Sequence, residues 1–132
     1  WEKLAINCAI NPFTALLNCP NGEIIHSDLF KENWPILKTE LSKMMTAAGF
    51  PLSETELEAR VFQVIQNTRK NIASMLQDVR AKRKTEIEDI NGFAAKYLKD
   101  RNLKNSVNTM LYEKLNDLKS FVSTNNSLGQ RS

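Results

Sequence analysis

The stretch Lys3-Leu4-Ala5-Ile6-Asn7-Cys8-Ala9-Ile10-Asn11-Pro12-Phe13-Thr14-Ala15-Leu16-Leu17 decides how the chain is read. It is rich in Ala, Leu, Ile and Asn, which suits a helix buried on most sides. A kink or break is expected at Asn11-Pro12, because Pro12 has no N–H to offer the carbonyl of Cys8. Lys3, Asn7 and Asn11 recur every four residues, so on a helix they project from one face in successive turns. The residues between them are apolar. Buried amides need partners, and a row of them facing a cleft can find those partners in a polar ligand. Spacing alone leaves a plainer alternative, in which Asn7 and Asn11 bond neighbouring backbone and Lys3 extends its stem outward.

Outward from this stretch, Pro20-Asn21-Gly22 reads as a turn, since Pro fixes one dihedral and Asn and Gly tolerate positive φ. Asn21 is either a turn residue or a ligand contact. A second helix is expected from about Trp34 to Ala48, on the stripe Trp34, Leu37, Leu41, Met44, Met45 and Ala48, with Gly49 ending it. Ser53 and Glu56 have capping-box spacing before Leu57, Val61, Val64, Ile65 and Thr68. Thr85 and Glu88 repeat that spacing before Ile87, Ile90, Ala94, Tyr97 and Leu98, which places Glu86 in a first helical turn. A last helix over 107–122 carries Val107, Leu111, Leu115, Leu118 and Val122, and the polar tail 123–132 is expected to fray. No alternating apolar and polar run outcompetes these periods, so the fold class is all-α.

The totals fit one domain. The chain has 132 residues, 42% hydrophobic and 25% charged, which is ordinary globular composition. Its net charge of +3, from 18 Lys and Arg against 15 Asp and Glu, is too small to imply nucleic acid. Cys8 and Cys19 lie in apolar surroundings without a ligand cluster, so reduced thiols and no metal site are expected. Neither a membrane-length apolar run nor a signal peptide is evident, and a cytoplasmic location is expected. The chain starts at Trp1 inside a helix-compatible stretch, from which an upstream segment is expected. Asn71 and Ser74 flank apolar residues, and capping or turn bonding is their plainer role. Arg80, Lys82, Arg83 and Lys84 read as a solvated or salt-bridging face. His26, without partners in sequence, reads as structural or exposed.

Taken together, the segments 1–16, Asn18-Cys19-Pro20-Asn21-Gly22-Glu23, Asn71-Ile72-Ala73-Ser74-Met75-Leu76-Gln77-Asp78-Val79 and Thr85-Glu86-Ile87-Glu88-Asp89-Ile90-Asn91-Gly92 closely resemble the signature segments of ketopantoate reductases, in order. The resemblance covers residues 1–122 and implies the helical, substrate-binding C-terminal domain of such an enzyme. It further implies an NADPH-dependent reduction of 2-dehydropantoate to pantoate, on the route to pantothenate and coenzyme A. Lys3 then matches the catalytic lysine, and Asn7, Asn11 and Asn21 match substrate-holding asparagines. Asn71 and Ser74 match positions lining the far end of the substrate. Glu86 matches an active-site carboxylate that orients the lysine and approaches the cofactor, a role that suits a helix start. Phe13 and Asn105-Ser106 depart from the usual pattern without touching this set.

The resemblance also implies what these residues lack. Gly22, Gly49, Gly92 and Gly129 form no GxGxxG fingerprint, so the NADPH-binding domain is expected N-terminal to Trp1 and the isolated chain is expected to be inactive. Its partners would be 2-dehydropantoate and that nucleotide-binding domain, with a homodimer possible, and neither nucleic acid nor membrane. Two alternatives stay open: a noncatalytic helical interaction module, and a reductase of another 2-oxo acid.

Overall fold

α1 (Glu2–Leu17) runs through Pro12, so of the expected kink or break no break occurs. The carbonyl of Cys8 that Pro12 leaves without a donor accepts a hydrogen bond from Asn91 Nδ2 at 3.2 Å. Tertiary structure thus supplies the bond the helix cannot make. Ala5, Cys8, Ala9, Ile10 and Phe13 are buried along α1. These mostly small side chains let other helices approach closely, and α1 packs against all five of them. The structure is a computed structural model that describes residues 1–131, with side chains through residue 118.

α1 ends at Asn18, which takes the left-handed conformation (φ 53°, ψ 53°) and donates its N–H to the Thr14 carbonyl. The positive φ therefore falls at Asn18 and not in the Pro20-Asn21-Gly22 turn, where Asn21 opens a 3-10 helix, Asn21–His26. Gly22 is needed there for space: a Cβ would lie 2.7 Å from Arg69 Cβ and 3.0 Å from the Arg69 carbonyl oxygen.

α2 (Asp28–Ala47) begins six residues before the expected Trp34. Ser27 caps it by accepting from Phe30 N at 3.1 Å, and the early start buries Phe30 against Phe13 and Trp34. Pro35 is thereby interior. Its freed carbonyl belongs to the exposed Lys31, where solvent can serve as donor. α3 (Glu54–Asn67) is capped by Ser53, which accepts from Glu56 N at 3.1 Å. Leu57, Val61 and Ile65 form its buried stripe, and Val64 and Thr68 sit at its margin.

After α4 (Ser74–Arg80) comes a 3-10 turn, Ile87–Asp89, and then α5 (Asn91–Asp100). The expected capping box at Thr85 does not form a helix start: the Thr85 hydroxyl accepts only a long 3.4 Å bond from Ile87 N. Glu86 precedes the 3-10 turn rather than standing in a first turn of α-helix, because Ile90 (φ −110°, ψ −94°) separates that turn from α5. Glu86 therefore does not stand where the dipole of an α-helix would stabilise its carboxylate.

α6 (Ser106–Arg131) extends past the expected Val122. Val107, Leu111 and Leu115 are buried and Leu118 half-buried, while the side chains of Val122 and of the tail lie outside what the structure describes. Among the described residues there is no strand, and no helix is long and apolar enough to cross a membrane.

A buried polar chain crosses the core. Glu40, 1% exposed, accepts from Val107 N at 2.9 Å, Asn108 N at 3.0 Å and Asn108 Nδ2 at 2.9 Å. One carboxylate from α2 thus caps the start of α6, where unbonded N–H groups and the helix dipole favour an anion. Asn91 Nδ2 donates to Asn108 Oδ1 at 3.0 Å, linking α5 into the same chain.

Candidate active site

On the continuous α1, Lys3 is exposed and Asn7 and Asn11 are half-buried, one above the next. Ala5, Ala9 and Phe13 face the core away from this row. Among the described residues Lys3 makes no ion pair, and the side chains of Asn7 and Asn11 make no hydrogen bond. The plainer alternative, bonding to neighbouring backbone, is not what the structure contains. Three polar groups stand at the boundary of the fold with their hydrogen-bonding capacity free.

The second group forms where the chain leaves α1. Asn21 N donates to the Asn71 carbonyl and Gly22 N to the Arg69 carbonyl, both at 3.0 Å. Asn21 Nδ2 donates to Thr68 Oγ1 at 2.9 Å, and Thr68 Oγ1 donates to the Val64 carbonyl at 2.6 Å. Asn21 Oδ1 is buried without a partner. Half of its amide serves the turn, and its acceptor is left over. The turn reading therefore holds for its Nδ2, while its Oδ1 stays without a partner.

Asn71 is exposed, its N–H held by the Thr68 carbonyl at 2.8 Å. Ser74, also exposed, is the first residue of α4, which packs on α1. Neither side chain performs the capping or turn bonding considered for it. The C-terminal ends of these helices are tied together where Arg80 Nε donates to Asn18 Oδ1 at 3.0 Å. Arg83 pairs with Asp78 at 3.2 Å, so the basic run is a solvated, salt-bridging face as expected. His26 is exposed.

Glu86 is exposed between buried Thr85 and buried Ile87. Those two neighbours anchor it, and Asp89 N closes the turn onto the Glu86 carbonyl at 3.0 Å. Its carboxylate has no hydrogen-bond partner among the described residues. In particular it is not paired with Lys3. The structure therefore joins Asn21 to Asn71 and aligns Lys3, Asn7 and Asn11, but leaves the lysine and the carboxylate apart.

Among the described residues, four concavities are lined by other residues, one of them a groove between Phe30, Trp34, Phe62 and Ile65. The polar row lies outside all four. Both thiols are free. Burial pushes the Cys8 thiol far above the ordinary range, and burial followed by the Glu23 charge raises Cys19. Neither is an activated nucleophile.

Sequence reasoning missed Glu40, Asn91 and Asn108. The signal was present, because each occupies a stripe position: Leu37-Glu40-Met44, Asn91-Ala94-Leu98 and Asn108-Leu111-Leu115. A polar residue on an apolar helical stripe is buried and must be bonded.

Residues 1–119 match the model of the ketopantoate reductase PanE/ApbA C-terminal domain family. The chain belongs to this family. A ketopantoate reductase relative, the 2-dehydropantoate 2-reductase of Shigella flexneri, is 44% identical over 113 residues, covering 86% of this chain and 36% of that enzyme. The chain thus spans about a third of that relative's length. The ternary structure of D-mandelate dehydrogenase with NADH and anilino(oxo)acetate has a TM-score of 0.84 at 19% identity, over 92% of this chain and 68% of that one. A dimeric ketopantoate reductase from Staphylococcus aureus has a TM-score of 0.74 at 23% identity, over 91% of this chain and 42% of that one. At these identities the two structures show a shared helical fold.

Proposed function

We propose that this chain is the substrate-binding domain of an NADPH-dependent 2-dehydropantoate 2-reductase, contributing one face of a site completed by a nucleotide-binding domain of the same protein. The observation that carries the reading is the α1 row, whose ammonium and two amides are without hydrogen-bond partners among the described residues. Family membership supplies the substrate class. The described residues contain neither a strand nor a glycine-rich turn that could cradle a dinucleotide. In this reading the cofactor is held by the other domain and supplies a hydride there.

Addition of hydride to a 2-oxo group turns the carbonyl oxygen into an alkoxide. Lys3, as an ammonium, stabilises that developing charge and donates the proton. Asn7 and Asn11 donate to and accept from the substrate's oxo and hydroxyl groups. Asn21 presents its unpartnered Oδ1 to the hydroxyl, and Asn71 and Ser74 meet the carboxylate end. Glu86, unpaired in this structure, accepts from Lys3 or from the hydroxyl once the two domains close around substrate and cofactor. A homodimer and a cytoplasmic location belong to the same proposal.

In the full-length protein, Lys3→Ala is expected to lower kcat for 2-dehydropantoate by about 100-fold or more, with the far-ultraviolet circular dichroism unchanged. Wild-type turnover in that variant would remove Lys3 from the chemistry. The likeness to a dehydrogenase solved with anilino(oxo)acetate favours one further arm, a comparison with other 2-oxo acids. A higher kcat/KM for one of them would keep the reaction class and replace the substrate.

A further inference from the structure

We infer that Asn91 is a positioning residue of the proposed reductase, one amide that sets the spacing between the α1 row and Glu86. The inference rests on the functional reading above. Its physical basis is the carbonyl of Cys8, which Pro12 deprives of its helical donor. Cys8 follows Asn7 directly and is fully buried, so water cannot take the place of the missing N–H. Asn91 Nδ2 does so at 3.2 Å.

The same NH2 group donates its other hydrogen to Asn108 Oδ1 at 3.0 Å. The orientation of Asn91 is fixed from the far end of the chain of bonds. Glu40 only accepts, so Asn108 must turn its Nδ2 toward it at 2.9 Å and its Oδ1 toward Asn91, which must then donate. Asn91 Oδ1 is left buried and unpartnered. The fold accepts that cost to keep both donors in place.

The other end of the link reaches Glu86. Only a tight turn separates it from Asn91, closed by Asp89 N to the Glu86 carbonyl at 3.0 Å and Ile90 N to the Ile87 carbonyl at 3.3 Å. Gly92 seats the start of α5 against α6, since a Cβ there would lie 2.9 Å from the Tyr112 ring. The bonded path from Asn7 to Glu86 therefore runs through Cys8, Asn91 and this turn. Loss of the Asn91 donor frees α1 and the Glu86 segment to move relative to each other, while every polar group of the site remains present.

The test is a cycle in the full-length protein: wild type, Asn91→Ala, Pro12→Ala and the double variant. Pro12→Ala restores a backbone N–H for Cys8. Asn91→Ala is expected to lower kcat for 2-dehydropantoate by about 10-fold or more through misplacement of the reacting groups, with the KM for NADPH unchanged. The double variant should recover most of that loss. Ser53→Ala, which removes the side-chain cap of α3, controls for lost stability and should keep the wild-type kcat.

A double variant as impaired as Asn91→Ala, or an unaffected Asn91→Ala, would overturn the inference. If Asn91→Ala does not fold, a folded and active double variant supports the link, and an unfolded one refutes it. A wild-type protein that reduces no 2-oxo acid would instead sink the proposed function. The link would then be judged from unfolding midpoints, where Pro12→Ala must offset the loss caused by Asn91→Ala.

Discussion

A single carboxylate, Glu40, does work that its neighbours in sequence cannot suggest. The periodicity of α2 marks position 40 as buried, but not the donors on α6 that meet it 67 and 68 residues later. Glu40→Ala would leave three buried N–H groups without an acceptor, and a loss of about 3 kcal/mol in urea unfolding is expected. Glu40→Gln keeps one carbonyl oxygen and should lose less. Equal stability of Glu40→Ala and wild type would contradict the capping role. Cys8 gives a second residue-scale prediction. Its thiol pKa is raised by burial, so the folded chain retains a proton that the unfolded chain releases above about pH 8.5. Its contribution to stability is complete below that pH and declines as pH rises beyond it. Wild type should therefore lose more urea stability than Cys8→Ala between about pH 8 and pH 10. Parallel pH profiles would refute this.

Helix starts show how far local chemistry carries and where it stops. Ser53 was legible as a cap because its hydroxyl acts within three residues. Ser27 offered the same three-residue signal for the start of α2 and was missed; burial of Phe30 against Phe13 and Trp34 outweighs the bond lost at Pro35. The two interior prolines also differ for a reason outside the sequence: the carbonyl freed by Pro35 is on an exposed residue, while that freed by Pro12 needs Asn91. The junction of the first 3-10 helix with the end of α3 depends on close approach at Gly22. Gly22→Ala should destabilise by about 1–3 kcal/mol through overpacking and, in the proposed reductase, raise the KM for 2-dehydropantoate, because it displaces the Asn21–Asn71 bond. An unchanged unfolding midpoint and KM would show that Arg69 yields freely.

At the scale of the molecule, the all-α class and the α1 row were legible because helical period and fourfold spacing are properties of contiguous residues. The meeting of Asn21 with Asn71, and the bond from Asn91 to Cys8, arise from packing between distant segments. The separation of Lys3 from Glu86 was not legible, since a motif records residue types and their order and not the distance between segments far apart in the chain. In the proposed function this polar face works only together with a nucleotide-binding domain. The most direct measurement is oxidation of NADPH in the presence of 2-dehydropantoate, followed by absorbance for the full-length protein and the 132-residue chain in parallel. Turnover by the full-length protein with none by the chain alone is the expected result. Turnover by the chain alone, or its absence from the full-length protein, would contradict the account.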